Sequence, residues 1–179
     1  TLKATYKNRK DITILDAGCG TGGLMQFLLD SGYSNLMGFD LSEIAVKFCN
    51  EKKLTVRIED IRQFRKNQPN KTFDAIICND VLCYLPEEDT FPVVADLMKI
   101  LNPGGVLMMN LPALDMFKGS HDLGVGLLRR YNMDMVKGLF NVINSKYINS
   151  VFWPFFLSPF IAFVRTLQRN KMKKNPQMK

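Results

Sequence analysis

Histidine and paired cysteines are nearly absent from this chain of 179 residues. It has one histidine, and its four cysteines form no C-x-x-C pair: they are Cys19, Cys49, Cys78 and Cys83. The pattern therefore predicts no zinc site and no other metal site. Unpaired thiols are typical of proteins in a reducing compartment, so the sequence predicts a cytoplasmic protein.

Acidic residues are missing from the last quarter of the chain. Residues 1–134 hold 16 basic and 17 acidic side chains, whereas residues 135–179 hold eight basic side chains and no acid. The net charge of +7 therefore belongs to the C-terminal segment. Because the positive charge is confined to one segment, the sequence argues against a nucleic-acid-binding surface that extends over the whole protein.

The most apolar stretch, residues 152–164, is shorter than the roughly 20 residues that a bilayer-spanning helix needs. It is also interrupted by Pro154 and Pro159. The first residues of the chain lack the charged and apolar regions of a secretory signal. Two interpretations of residues 152–164 stay open: a lid packed on the domain, or, with the basic residues that follow, a peripheral membrane contact through residues 152–179.

Strand and helix patterns alternate over the first 112 residues. Short apolar runs predict strands at 12–18, 35–40, 55–60, 73–80 and 106–111. Helical spacing is found between them, over 23–32, after Ser42 and over 90–101. The predicted fold class is therefore α/β, with a doubly wound, mostly parallel sheet between two layers of helices.

Three local patterns carry more detailed expectations. Ser42 is the predicted N-cap of a helix with one apolar face, formed by Ile44, Ala45, Phe48 and Cys49. Asn132 is the predicted cap of a helix over 131–141. Residues 142–152 are expected to form a sixth strand.

The stretch LDAGCGTGG, residues 15–23, is compatible with two cofactors. Its glycines have the G-x-G-x-x-G spacing of a dinucleotide-binding turn, but the same letters led by Asp16 suit a loop that holds S-adenosylmethionine. A carboxylate at Asp16 would repel the pyrophosphate of a dinucleotide, whereas S-adenosylmethionine brings an ammonium and a sulfonium. Asp40, about 20 residues past the glycines, could accept ribose hydroxyls of either cofactor. The charge of Asp16 therefore favours S-adenosylmethionine over a dinucleotide as the cofactor.

Five motifs in sequence order resemble those of the class I S-adenosylmethionine-dependent methyltransferases, from about residue 12 to residue 112. They are ILDAGCGTG, GFDLSEIAV, IEDIRQF, FDAIICNDVLCYL and LNPGGVLMMNLP. Each motif alone is weak, but five at this spacing are specific. The resemblance implies a Rossmann-like methyltransferase fold with S-adenosylmethionine as cofactor. The seventh strand usual in the family is expected to be missing here.

The resemblance, together with the argument on Asp16, gives a predicted cofactor site. Its residues are Asp16, Gly18, Cys19, Gly20, Asp40, Leu41, Asp60, Ile61 and Asn79. The loop backbone and Asn79 would lie against the methionine moiety, and Asp40 would bind the ribose. Leu41 and Ile61 would pack against the adenine, and Asp60 could accept a hydrogen bond from the adenine amino group. Two alternatives stay open: Asp60 could cap a turn over 61–66, and Asn79 could satisfy a strand end.

The stretch SHDLGVGLLRRY, residues 120–131, resembles a family subset that carries His-Asp and then Arg-Arg-Tyr before the last helix. His121 is therefore a candidate general base or acceptor-binding residue, with a structural hydrogen bond as the alternative. Relatives often have a histidine at the position of Tyr84, so Tyr84 is a second catalytic candidate.

Arg129, Arg130 and Tyr131 are the predicted acceptor-binding residues. Guanidinium forks bind carboxylates and phosphates well, so the two arginines could hold an anionic acceptor. Alternatively, they pair with Asp115 or Asp122 and fix the loop.

These patterns predict a single methyltransferase domain. Residues 12–112 would bind the cofactor, residues 113–169 would cover the acceptor, and residues 170–179 would form a basic tail. The predicted activity is methyl transfer to an oxygen or nitrogen of a small-molecule acceptor, with glycan-linked and lipid-linked acceptors included. The alternatives are an RNA or protein methyltransferase, or a cofactor-binding module without turnover. The sequence predicts no particular oligomeric state.

Overall fold

The computed structural model describes residues 2–115, 120–142, 145 and 148–151. They belong to two compact units. The first unit holds the residues up to Leu82 together with Glu87–Asn110, and the second holds Cys83–Pro86 together with the described residues from Leu111 onward.

The first unit is a five-stranded parallel sheet with helices between the strands. The strands are β1 Ile14–Ala17, β2 Leu36–Asp40, β3 Val56–Ile58, β4 Phe73–Asn79 and β5 Leu101–Asn110. The helices are α1 Leu2–Thr5, α2 Gly23–Asp30, α3 Glu43–Glu51, α4 Phe64–Asn67 and α5 Glu87–Lys99. The strand order is β3-β2-β1-β4-β5, which confirms the predicted doubly wound fold.

Strand β1 lies at the centre of this sheet, where the strand order reverses. All four of its residues are buried, and Ile14 pairs with Leu36 of β2 on one side and Ala75 of β4 on the other. Right-handed crossovers in opposite directions put α2 and α3 on one face and α5 on the other. In open sheets of this kind, ligands bind beyond the carboxyl ends of the strands at the point of reversal.

Apolar side chains from strands and helices form the core. One cluster joins Ile14 and Ala75 of the sheet to Leu28 of α2. Elsewhere, the ring of Phe64 on α4 stacks on Phe39 of β2, with 4.4 Å between centroids. These contacts fix the strands whose ends carry the candidate site.

Helix α3 confirms one expectation and corrects another. The Ser42 hydroxyl accepts a hydrogen bond from the Ala45 amide at 3.2 Å, so the predicted cap is present. However, the buried residues of α3 are Ala45, Val46 and Cys49, whereas Ile44 is 71% exposed and Phe48 is 48% exposed. Successive residues of a helix point about 100° apart, so a face centred on Ala45 and Cys49 leaves Ile44 and Phe48 on its flank.

Strand β5 begins five residues earlier than the sequence pattern predicts. Phe73 of β4 pairs with Leu101, but Ala75 pairs with Val106, so the NPGG stretch forms an irregularity inside the strand rather than a turn before it. Gly104 has a φ of 78°, and a Cβ on Gly105 would lie 2.9 Å from the carbonyl oxygen of Asp74. Glycine permits this close approach of the two strands.

The second unit contains α6 Ser120–Gly124, α7 Met133–Val142 and an isolated parallel bridge between Ala113 and Tyr131. The Asn132 carboxamide oxygen accepts the Met135 amide at 2.9 Å, which confirms the predicted cap. The predicted sixth strand is corrected where it is described: Val142 ends α7, and residues 145 and 148–151 are not strand. Strand-forming residues need a partner strand, which their sequence pattern alone does not supply.

The other residues of that predicted strand, and all of 152–179, lie outside the described residues. Within the part of the chain that is described, no helix is long and apolar enough to cross a membrane.

Candidate functional site

The glycine loop after β1 has a shape that depends on glycine. Gly18, Gly20 and Gly22 have φ angles of 80°, 53° and 77°. A Cβ on Gly18 would come within 2.2 Å of the Val81 Cγ2, whereas one on Gly20 would meet no atom within 4 Å. Close packing therefore fixes the loop at Gly18, and open space remains beside Gly20.

The end of β2 holds this loop through three consecutive amides. Gly18 and Cys19 both donate their N–H groups to the Phe39 carbonyl, at 2.9 and 3.0 Å. Gly20 donates to Asp40 Oδ2 at 2.8 Å, and the other oxygen of Asp40 accepts the Ser42 amide at 2.9 Å. A carboxylate has about four acceptor positions, so Asp40 retains capacity for further donors.

Asp16 is a buried carboxyl group beside the loop. It is 3% exposed, and its Oδ2 has no hydrogen-bond partner among the described residues. Burial, and to a smaller extent the charge of Asp40, raises the pKa of Asp16 to about 7. An unpaired buried carboxylate is costly, so a cation placed beside Asp16 would stabilise its charged form.

The thiol of Cys19 packs under the loop beside that of Cys49. The Sγ atoms of Cys19 and Cys49 lie 3.7 and 3.3 Å from the carbonyl oxygen of Gly20. Burial raises the pKa of the Cys19 thiol well above its ordinary value. Because the thiolate is the nucleophilic form, this cysteine is suited to packing rather than to covalent chemistry.

Asp60 follows β3 and begins the turn into α4. Its Oδ1 accepts the Arg62 amide at 2.9 Å, and its carbonyl oxygen accepts the Phe64 amide at 3.0 Å. Hydrogen bonds from the Arg62 side chain lower the pKa of Asp60 below its ordinary value. The structure thus contains the turn named in the alternative interpretation of Asp60, and the adenine contact stays a prediction. Of the two predicted adenine neighbours, Ile61 is buried and Leu41 is 67% exposed.

Asn79 ends β4 in an exposed position. The sequence did not identify the next residue, Asp80, as a candidate for the site. Asp80 has a φ of 53°, donates its amide to the Asn110 carbonyl at 2.9 Å and accepts the Asn110 side-chain amide at 3.0 Å. Non-glycine residues in this region of φ often lie at functional sites. The available indication in the sequence was an acid directly after a buried strand.

The two neighbouring arginines of the second unit have different partners. Arg130 donates from Nε and Nη2 to the two oxygens of Asp122, both at 2.8 Å, and from Nη1 to the Ala113 carbonyl at 3.0 Å. Arg129 donates from Nη2 to the Leu85 carbonyl at 3.2 Å, while its buried Nε has no partner within the described part of the chain. The pairing with Asp122 that the sequence left open is therefore present for Arg130 and not for Arg129.

The remaining acceptor-side candidates also belong to the second unit. Tyr131 is buried, and its backbone bonds to Pro112 and Leu114 at 2.8 and 2.9 Å. Tyr84 is 43% exposed. His121 lies in α6, and its side chain is outside the described residues. Among the side chains that are described, no group of three histidine, cysteine or acidic residues could hold a metal ion.

The parallel sheet, the glycine loop and the acids at the carboxyl ends of β1, β2 and β3 define the class of a nucleotide-type cofactor-binding α/β domain. Asp16, Gly18, Cys19, Gly20 and Asp40 lie together at its point of strand reversal. A family model identifies the chain more specifically than the fold does. Residues 14–105 match the model of the methyltransferase domain, and the chain belongs to this family.

Two curated relatives are similar to about half of this chain. An uncharacterized protein of Rickettsia prowazekii is 31% identical over 107 residues, covering 56% of this chain and 43% of its own length. Phosphoethanolamine N-methyltransferase of Triticum aestivum is 30% identical over 101 residues, covering 54% of this chain and 20% of its own length. The chain therefore spans less than half the length of these relatives.

Crystal structures of magnesium protoporphyrin IX methyltransferase from Synechocystis, with bound S-adenosylmethionine and with S-adenosylhomocysteine, share the fold. Their TM-scores are 0.64 and 0.68 at 19% identity. Both cover 84% of this chain, and the matches cover 67% and 71% of the solved chains.

Proposed function

We propose that this chain binds S-adenosylmethionine and directs methyl transfer to an oxygen or nitrogen of a small-molecule acceptor. The observation that carries the proposal is the buried Oδ2 of Asp16, which has no partner among the described residues. An ammonium or sulfonium near this oxygen would be stabilised by it, whereas a pyrophosphate would be repelled. The open space at Gly20, in the loop that follows Asp16, leaves room for the same ligand.

The chain's own residues divide the work of holding the cofactor. Asp16 would face the cationic end, and Asp40 would accept the ribose hydroxyls with the acceptor capacity that Gly20 and Ser42 leave free. Asp60 would meet the adenine amino group. When bound, S-adenosylmethionine would supply an activated methyl group, so that alignment of the acceptor is the main task left to the protein.

We propose that the acceptor carries an anionic group that Arg129 binds. Its buried Nε lacks a partner within the described residues, whereas Arg130 is occupied by Asp122. The phosphate of phosphoethanolamine, the substrate named for the Triticum relative, has this chemistry. His121 and Tyr84 are the candidate general bases, a role that adds roughly 10²–10⁴-fold to the rate where the acceptor must lose a proton.

Titration calorimetry with S-adenosylhomocysteine and with NAD tests the cofactor. We expect the first ligand to bind and the second not to bind. Asp40→Ala should weaken binding by about 1.5–3 kcal/mol, the range for hydrogen bonds to charged groups. Asp30→Ala, an acid on α2 that bonds Gln26, is the matched control and should bind as the wild type does. Binding of NAD alone would contradict the proposal.

Methyl transfer to phosphoethanolamine and to ethanolamine tests the acceptor. We expect the wild type to prefer the phosphorylated amine. Arg129→Ala should raise the KM for phosphoethanolamine by about 10- to 100-fold, as expected for a lost charge-assisted hydrogen bond. Equal use of both amines, or an unchanged KM in Arg129→Ala, would show that Arg129 does not bind an anionic group.

We also propose that the protein is cytoplasmic and makes peripheral membrane contact through residues 152–179. The support is in the sequence: an apolar stretch is followed by basic residues with no acid among them. Sedimentation with anionic vesicles should remove more of the wild type from the supernatant than of a variant in which Lys171, Lys173 and Lys174 are changed to Gln. Equal depletion would argue for packing of this segment on the protein instead.

A further inference from the structure

Arg62 holds both carboxylate oxygens of Asp60. Its Nε lies 3.0 Å from Oδ1 and 3.0 Å from Oδ2, and its Nη2 lies 2.5 Å from Oδ2. The backbone amide of the same residue donates to Oδ1 at 2.9 Å. A single residue therefore fixes the carboxylate from two directions, through its main chain and through its side chain.

These contacts leave little acceptor capacity on Asp60. A carboxylate has about four acceptor positions. The Arg62 amide donates to Oδ1, Nη2 donates to Oδ2, and the Nε–H is shared equally between the two oxygens. Three N–H groups of Arg62 thus take up three of the four positions, and about one further donor is accommodated.

The guanidinium is itself held in place from α5. Its Nη1 lies 3.3 Å from Oδ2 of Asp89, an acid in the first turn of that helix. The turn after β3 is thereby joined to α5 by a bridge of two acids and one arginine. A fork with a second partner is less free to rotate than a lone surface pair.

We propose that Arg62 is a positioning residue that makes the cofactor site selective for an amino group on the purine ring. The inference rests on the proposed function, which puts Asp60 at the adenine edge. The carboxylate of Asp60 is an acceptor only, so it matches an N–H donor and repels a carbonyl oxygen in the same place. Without the fork, the carboxylate rotates away from such an oxygen and the selectivity falls.

Binding of two probes tests this: S-adenosylhomocysteine, and S-inosylhomocysteine, in which a carbonyl oxygen replaces the adenine amino group. The wild type should bind the first probe about tenfold or more tightly than the second, because the second would leave a buried polar group without a hydrogen bond. Arg62→Ala should reduce this preference at least about threefold, mainly by binding the inosine probe better. Arg62→Lys keeps the charge but not the fork, and should resemble Arg62→Ala.

Arg65→Ala is the matched control. Arg65 lies in the adjoining α4 and also reaches α5, through Asp96 at 3.5 Å, but it has no hydrogen bond to Asp60 among the described residues. Its removal should leave the preference at the wild-type value. Thermal melting of each variant establishes that it is folded.

Each failure has a distinct meaning. A wild type that binds neither probe contradicts the proposed function. A wild type that binds both equally, an unchanged preference in Arg62→Ala or Arg62→Lys, or an equal loss in Arg65→Ala overturns the role of Arg62 and leaves the proposed function standing.

Discussion

Two acid–arginine forks in this chain have similar contacts and very different surroundings. In the first unit, the side chains of Asp60 and Arg62 are 22% and 44% exposed. In the second, those of Asp122 and Arg130 are 1% and 12% exposed. Water competes for the first pair and is excluded from the second, so only the second is costly to break. An exposed fork can orient a side chain, whereas a buried fork holds a segment together.

Within the described part of the chain, two further charged residues have no partner of opposite charge of the kind found in these forks. Asp16 is a buried acid without an arginine, and Arg129 is an arginine without an acid among the described residues. Removal of one charged group should therefore have a different effect in each of these four cases: the two forks, Asp16 and Arg129.

Breaking the buried fork should have the largest effect. Asp122→Ala leaves the Arg130 guanidinium buried without its anion and should lower the free energy of unfolding by about 3–5 kcal/mol. Urea denaturation followed by circular dichroism measures this. The double variant Asp122→Leu with Arg130→Met should recover much of the loss, because no unpaired charge remains. A loss below about 1 kcal/mol in Asp122→Ala would place this fork with the exposed one.

The unpaired acid should make stability depend on pH. The folded-state pKa of Asp16 is raised to about 7, so the folded chain holds a proton that the unfolded chain releases near its ordinary pKa of 3.8. This contribution is fully present below about pH 4 and is lost as the pH rises to about 7, by roughly 2–4 kcal/mol.

Asp16→Asn removes this titration. Denaturation at pH 5 and pH 8 without cofactor should therefore show a smaller decrease in stability for the variant than for the wild type. Parallel pH profiles for the two proteins would mean that Asp16 has an ordinary pKa in the fold.

The unpaired arginine should cost little when it is removed. Arg129→Ala loses one hydrogen bond to Leu85 but also removes a buried donor without a partner. We expect a change of about 1 kcal/mol or less in urea denaturation. The neighbouring Arg130→Ala is the matched comparison and should be several-fold more destabilising. Equal effects would mean that Arg129 also has a structural role.

The exposed fork should have the smallest effect on stability. Arg62→Ala should melt within experimental error of the wild type, because solvent screens the exposed pair. The same variant is expected to change ligand selectivity, so differential scanning fluorimetry and ligand binding separate orientation from stability. A marked fall in Tm would move this fork into the class of Asp122 and Arg130.

Local features of the sequence predicted the first unit well. The glycine loop, the Ser42 cap and the acids at the carboxyl ends of β1, β2 and β3 each depend on a few neighbouring residues, and the structure contains them as expected. The doubly wound parallel sheet was predictable because helices and strands alternate along the sequence, whereas the order of its strands was not predicted.

Features that depend on distant contacts were not predictable in the same way. The sequence could not choose between an acceptor and Asp122 for Arg130, because that choice depends on how the loop closes. The irregular start of β5 depends on its register with β4. Exposure of Ile44 and Phe48 depends on the rotation of α3 about its axis, which a helical repeat leaves undefined within about one residue.

The three amides that β2 holds in the glycine loop also determine what ligand binding must cost. Gly18, Cys19 and Gly20 are fixed by two successive residues, Phe39 and Asp40, at the end of a strand. The loop therefore loses little conformational entropy when a ligand arrives, since folding of the sheet has already ordered it. A substitution that loosens the end of β2 would weaken ligand binding by restoring disorder to the loop, even where every ligand-contacting side chain is unchanged.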